Sequence, residues 1–372
     1  MRHRLSAAAI LAAFAFAGCA RAEGEARTID SSAGKLTLEE RAKDLDHPWG
    51  LAFLPDGRLL LTERAGRLRT LSADGKLSAP FAGVPAVQAR GQGGLLDVAL
   101  DPGFAQNRLI YISYAEAGGD GASTAFARAT LGDSRLENVQ LVFRQLPKVS
   151  GNGHYGGRIV FAPDGHLFLT TGDRQKLDPA QDLMSHLGKV IRLNRDGTVP
   201  KDNPFVGRAD AKPEIWSYGH RNIQGAAIEP TTGRLWTIEF GPAGGDELNH
   251  PEPGKNYGWP LVSWGNHYDG RDIPDPPTRP DLTDAVKYWN PTIAPSGMIF
   301  YAGAMFPKWK NNILIAGLGT LGIVRLELRD GKVVNEERIE LGRRIRDVAQ
   351  APDGSIFVAT DDTDGRIWRL SR

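Results

Sequence analysis

The chain is 372 residues long and carries 45 Lys+Arg against 44 Asp+Glu, a formal net charge of +1. This balance lacks the basic footprint of a nucleic-acid binder, so no nucleic-acid partner is expected. Its 44 glycines and 24 prolines argue against a helical protein and for many short strands joined by tight turns, and the length suffices for one large domain.

At the N-terminus, Arg2 and Arg4 precede an apolar run from Ala7 to Ala17 that is too short to span a bilayer comfortably. Residues 1–18 therefore read as a signal peptide, and an exported, periplasmic location is expected. The run ends in Phe16-Ala17-Gly18-Cys19, which is similar to a bacterial lipoprotein processing box. In that reading Cys19 becomes the lipidated first residue, and the membrane is touched only through this anchor. An incidental cysteine in an ordinary cleaved leader is the alternative. Cys19 is the only cysteine, so no intramolecular disulfide forms in either case. Residues 19–35 are small and polar, as in a flexible tether, and 36–372 read as one domain.

Within that domain one phrase recurs. Leu51-Ala52-Phe53-Leu54-Pro55-Asp56-Gly57, followed by an apolar run to Thr62, returns as Ile159-Val160-Phe161-Ala162-Pro163-Asp164-Gly165 with a run to Thr170, and again from Ala351-Pro352-Asp353-Gly354 to Thr360. Each copy predicts a hairpin: Asp-Gly takes positive φ angles in the turn, and the run after it is a strand buried on both faces. A further strand follows each turn, at 66–71, 188–193, 322–326 and 365–370, with basic residues including Lys189, Arg192 and Arg325 expected to alternate outward. Weaker copies near 97–113, 225–238 and 297–315 bring the count to about six. Units of four short strands cannot bury both faces alone, so they stack radially and the ring closes. The expected fold is an all-β, six-bladed β-propeller. An immunoglobulin-like sandwich is the alternative that the recurring phrases argue against. No long helix is expected; Asp178 to Leu187 reads as a short one.

Glycine-rich loops with polar side chains lie beside the repeat strands, which would deliver them to one mouth of the channel. His154 sits among the glycines of Gly151-Asn152-Gly153-His154-Tyr155-Gly156-Gly157, where backbone can approach a ligand closely. Asp173, at the end of the next strand, would orient that imidazole as a general base; an exposed loop histidine and a turn aspartate are the plain alternatives. Arg221, Arg344 and Arg346 offer a clamp for carboxylates, and Arg344 and Arg346 alternate with Ile345 so that both face one way on a strand. Asp246, Glu247 and Tyr257 near a Gly-Pro loop offer hard oxygen ligands suited to Ca²⁺, although the spacing is not that of an EF-hand.

The series GQGGLLDVALDP, GNGHYGGR, TTGD, WSYGHRNIQGAA, GPAGGDELN, GKNYGWP, APSGM and RRIRDV closely resembles the soluble pyrroloquinoline quinone (PQQ)-dependent sugar dehydrogenases, especially their aldose sugar dehydrogenase branch, from about residue 44 to the end. The resemblance implies PQQ in the central funnel. His154 looks like the general base for the sugar C1 hydroxyl, Asp173 its orienting partner, and Arg221 a group close to the reacting carbonyl. Gln92, Arg221, Asn222, Gln224 and Ala294 match cofactor-contacting positions, and Arg344 and Arg346 match those that bind PQQ carboxylates. The carbonyls of Gly241 and Pro242 match ligands of an active-site Ca²⁺, while Glu247 and Tyr257, with Asp246 nearby, match a separate structural Ca²⁺ site.

The chain also departs from that pattern. Leu318-Gly319-Thr320 stands where the glucose dehydrogenase branch places a lysine on the cofactor, and Lys287 and Asn290 stand where that branch has aromatic residues. Gly153 replaces an acidic neighbour of the base, and Phe240 and Ala243 occupy positions often more polar. The expected activity is oxidation of aldoses at C1 to lactones, with electrons passed to an external acceptor. A non-catalytic sugar- or protein-binding propeller and a Ca²⁺-dependent lactonase are the alternatives.

Overall fold

The computed structural model describes residues 26–119 and 121–372. The expected signal peptide and Cys19 lie outside the described residues.

Six sheets form the blades. Blade 1 comprises Pro48–Phe53, Leu59–Glu63 and Arg67–Leu71. Blade 2 comprises Leu95–Leu100, Leu109–Gly118, Gly121–Leu131 and Leu136–Arg144. Blade 3 runs from Gly156–Phe161 through Leu167–Thr171 and Lys189–Leu193 to Ile215–Tyr218. Blade 4 holds Ile223–Ile228, Leu235–Glu239, Asp246–Asn249 and Lys287–Trp289. Blade 5 holds Pro295–Phe300, Ile313–Gly317, Gly322–Arg329 and Lys332–Glu340. Blade 6 joins Ile345–Gln350, Ile356–Thr360 and Gly365–Ser371 to the N-terminal strands Gly34–Leu45 and Arg27–Ser31. The pairing of Leu38 with Leu370 and Thr37 with Ser371 closes the ring between the two ends of the chain. Part of the expected tether is thus strand: Arg27–Ser31 pairs with Gly34–Leu45 along the outer edge of blade 6. The alternation of polar residues there hid a solvent-facing edge strand behind a linker-like composition.

The recurring phrase folds identically in three blades. Phe53 pairs with Leu59, Phe161 with Leu167 and Gln350 with Ile356, across turns in which Leu54, Ala162 and Ala351 each accept from the glycine N–H three residues on. Proline presets the first turn residue, and the aspartate carboxylate accepts the N–H two residues ahead, from Arg58, His166 and Ser355. Only the glycine takes positive φ, 85° at Gly57, 90° at Gly165 and 84° at Gly354. The connection is therefore a five-residue loop built on a type I-like turn rather than a two-residue one, and aspartate acts through its side chain. The strands that follow are buried throughout, as expected.

Apolar side chains gather into one cluster at each blade-to-blade interface, for example Leu60, Leu68, Val98 and Ile112 between blades 1 and 2, and Phe168, Val190, Ile223 and Leu235 between blades 3 and 4. Both faces of every blade are covered in this way, and the outward alternation expected of the basic residues holds for Arg67, Arg69, Arg366 and Arg369, which are half-buried, but fails for three others. Lys189, Arg192 and Arg325 are buried. Lys189 Nζ donates to the carbonyls of Pro179, Ala180 and Leu187, while burial pulls its pKa down to about 7. The helix expected at 178–187 is reduced to one 3₁₀ turn at Asp178–Ala180.

All six innermost strands carry a register shift near their start, between Pro48 and Leu51, Leu95 and Val98, Gly156 and Ile159, Ile223 and Gly225, Pro295 and Met298, and Ile345 and Asp347. Such bulges re-aim side chains. Here they turn Trp49, Leu96, Gln224 and Arg346 into the channel. Next along these strands, Arg158 closes the axis: its guanidinium lies 3.1 Å from both Asp97 and Asp347, donates to Gln224 O at 2.6 Å, and stacks 4.1 Å from the Trp49 ring centroid.

Candidate active site

The His154 loop is shaped by close approach. His154 takes φ 54°, and a Cβ on Gly172 would stand 2.1 Å from its carbonyl oxygen, so only glycine lets the next strand pass. Arg174, fully buried, donates to the carbonyls of Gly153 and Gly151 and stacks 3.6 Å from the Tyr155 ring centroid, filling the space that the glycines leave. Gln92 Oε1 accepts the His154 N–H at 2.7 Å. Two of the resemblance's loops, GQGG and GNGH, thus meet directly.

His154 Nδ1 donates to Asp173 Oδ1 at 2.6 Å, which leaves Nε2 as the basic nitrogen, without a partner among the described residues. Burial lowers the imidazole pKa, the hydrogen bond to Asp173 opposes this, and the positive Arg221 and Arg174 add to the lowering. The ring is therefore neutral near pH 7. Burial raises the Asp173 carboxyl, but hydrogen bonds from His154, from Trp259 Nε1 at 2.8 Å and from the Gln175 N–H at 2.8 Å outweigh it and hold it ionised. The Trp259 ring in turn lies 5.2 Å beneath the Arg221 guanidinium. Arg221 donates to Phe240 O and to the Tyr268 hydroxyl, and its Nε is buried without a partner. Base, carboxylate, indole and guanidinium form one connected set.

A cavity of about 200 Å³ opens at the inner-strand bulges. Gln92, Asn222, Gln224, Arg344 and Arg346 line it, whereas His154, Arg221 and Ala294 do not, and Trp49, Tyr155 and Phe240 form flat apolar walls. Arg346 donates to Gln224 Oε1, Ser296 Oγ and Asp361, and Arg344 reaches the same Asp361 at 3.0 Å. Burial raises the Asp361 carboxyl, but the two guanidiniums overwhelm that and hold it far below the ordinary range. Leu318 lines the wall, so its segment brings no charge. Ala294 acts through its backbone: at φ 48° its carbonyl accepts the Leu318 N–H at 2.8 Å.

A smaller adjoining cavity, also bordered by Phe240, is lined by Gly241, Pro242, Glu247 and Tyr257 with Arg221 and Glu239. Asp246 does not line it; its carboxylate accepts the N–H groups of Gly241, Ile293 and Ala294 and so ties blade 4 to blade 5. The Tyr257 hydroxyl is engaged with His250 O and the Glu252 N–H, and its ring stacks on His220. Among the described residues no group of three or more His, Cys, Asp or Glu is arranged to hold a metal, so a cation here would rely on main-chain oxygens supplemented by Glu247. The donors are all oxygen, a set that fits a hard ion. The larger cavity, with excess guanidinium, flat walls and amide donors, fits a flat polycarboxylate. Sequence reasoning did not single out Trp259, Arg174, Asp361, Arg64 or Tyr268; Trp259 stood inside the quoted GKNYGWP motif without an assigned role, and Arg174 directly follows TTGD.

An arginine-lined funnel beside an oriented, neutral imidazole, on a six-bladed propeller, defines an oxidoreductase-type channel site. The pattern of the Glucose / Sorbosone dehydrogenase family matches residues 45–369, and the chain belongs to that family of enzymes. It is 46% identical to aldose sugar dehydrogenase YliI of Escherichia coli (strain K12) over 344 residues, covering 90% of this chain and 93% of that one. A crystal structure of a glucose dehydrogenase superposes with a TM-score of 0.87 at 46% identity, covering 90% of this chain and 99% of the other. The PQQ-bound form of aldose sugar dehydrogenase from Streptomyces coelicolor does so with 0.75 at 31% identity, covering 90% and 98%.

Proposed function

We propose that this chain oxidises aldose sugars at C1 to lactones with PQQ and Ca²⁺, delivering electrons to an external acceptor. The observation that carries this reading is the neutral His154, oriented by Asp173, beside a cavity whose Arg344 and Arg346 present donors for carboxylates. When bound, PQQ supplies the acceptor for the C1 hydrogen and its electron pair, and Ca²⁺ supplies a Lewis acid. Gln92, Asn222, Gln224, Arg344 and Arg346 would hold the quinone, and the Gly241 and Pro242 carbonyls would hold the active-site cation.

The remaining work falls to this chain's own groups. His154 Nε2 takes the proton of the C1 hydroxyl as its C–O bond becomes the lactone carbonyl, and Asp173 stabilises the imidazolium that results. Arg221, held over Trp259 and beside the cavity of Gly241 and Pro242, sets positive charge where negative charge develops during the oxidation. Arg174 keeps the histidine loop in shape, so that the base meets its substrate without reorganisation. Arg2 and Arg4 ahead of the apolar run to Ala17 support export as part of the same proposal, with Cys19 as the anchoring residue.

The test is reconstitution of the apo-protein with PQQ and Ca²⁺, followed by dye reduction with glucose and other aldoses. The reading requires aldose-dependent reduction that His154→Ala abolishes. Absence of reduction with every aldose, or a His154→Ala variant that matches wild type, overturns it.

A further inference from the structure

The cavity wall contains a cation that the motifs do not mark. Arg64 directly follows the second strand of blade 1, its main chain fixed by a donor bond to His47 O and an acceptor bond from the Leu95 N–H. Its side chain enters the cavity that also holds Arg344, Arg346 and Asp361. Among the described residues its guanidinium has no hydrogen-bond or ion-pair partner. The adjacent Glu63 is already spent: it binds Arg67, Arg69 and the Asp46 N–H. Asp361 is spent on Arg344 and Arg346. Three guanidiniums thus face one carboxylate, leaving an excess of two positive charges on the cavity wall.

Such a group is expensive to keep. Burial lowers its pKa, Asp361 and Asp46 oppose that, and Arg346 and Arg344 add like-charge repulsion, so Arg64 is a half-buried cation that no carboxylate pairs directly. Packing nonetheless aims it inward. A Cβ on Gly94, in the GQGG loop, would stand 2.6 Å from Arg64 Cγ, so that loop closes tightly on the aliphatic stem and restricts where the guanidinium can go. Leu318 on the same cavity wall offers no charge.

We infer that Arg64 is a carboxylate-binding residue for the cofactor, forming with Arg344 and Arg346 a three-guanidinium set drawn from blades 1 and 6. The inference rests on the quinone reading given above. A ligand with several carboxylates converts the uncompensated cation into a charge-assisted hydrogen bond. In its absence, Arg64 weakens the fold.

The experiment is a calorimetric titration of apo-protein with PQQ in the presence of Ca²⁺, for wild type, Arg64→Met and Arg64→Lys, together with apo-protein melting temperatures. Arg64→Met keeps the apolar stem. It should bind PQQ about ten- to a hundredfold more weakly, with Arg64→Lys intermediate, and its apo melting temperature should equal or exceed that of wild type. Arg64→Met that binds PQQ as tightly as wild type overturns the inference alone, as does a lowered melting temperature with unchanged affinity, which would make Arg64 a packing residue. Wild-type protein that takes up no PQQ overturns the proposed function and this inference with it.

Discussion

The His154 imidazole is fixed from three directions: Asp173 holds Nδ1, Gln92 holds the main-chain N–H, and Arg174 braces the glycines before it. Its pKa lies below the ordinary value of 6.5, and the proposed reaction uses the neutral ring. The rate is therefore full at pH 7 and falls as pH drops through a value under 6.5; a kcat/KM profile with its acid limb above 6.5 would contradict the assignment. Trp259→Phe keeps a ring under Arg221 but removes the indole donor from Asp173. Asp173 then becomes more basic, so the acid limb should move to higher pH and kcat should fall about tenfold, while PQQ affinity measured by titration stays unchanged. The His154–Asp173 pair was open to sequence reading because the histidine stands in a glycine-rich loop and the aspartate ends the next strand, while their roles as base and orienting carboxylate came from the family resemblance. Trp259 was not assigned a role, since its bond to Asp173 spans 86 positions and leaves no local signature. Asp361 escaped notice for the related reason that it follows the strand next to its arginines rather than belonging to their motif.

At the scale of the element, the Pro-Asp-Gly turn shows how much a short phrase fixes. Proline, aspartate side chain and left-handed glycine each supply one constraint, and three blades repeat the same bonds. A Cβ on Gly165 would meet nothing within 4 Å, so Gly165→Ala tests conformation alone and should cost about 1–2 kcal/mol, read as a lowered denaturation midpoint with unchanged m-value. The repeat phrase was readable because turn chemistry is local. Alternation failed for Lys189, Arg192 and Arg325 because it presumes one wet face, whereas a blade between two neighbours has none. The edge strand Arg27–Ser31 was missed because its burial is slight and its composition matches a linker.

Across the whole molecule, two features hold the ring: the pairing of N- and C-terminal strands in blade 6 and the Arg158 plug on the axis. Burial raises the Asp347 carboxyl, Arg158 pulls it down, and the nearby Asp97 pushes it up, so that it stays above the ordinary carboxylate range. Arg158→Met would strand both carboxylates in the interior, so it should cost about 3–5 kcal/mol in urea unfolding. The blade count and closure were foreseeable from repeat spacing; the axial plug was not, since it joins residues from five blades. The same convergence places Arg344 and Arg346 from blade 6, Asn222 and Gln224 from blade 4 and Gln92 from the loop entering blade 2 around one cavity. The central claim is that this cavity seats a quinone that His154 helps to reduce. The most direct measurement is the absorption spectrum of apo-protein with PQQ and Ca²⁺, before and after an aldose. A bound oxidised quinone is expected, with a spectrum that changes to the reduced form on aldose addition in wild type and not in His154→Ala. A bound quinone that stays oxidised with every aldose tried, or one reduced equally in His154→Ala, would contradict it.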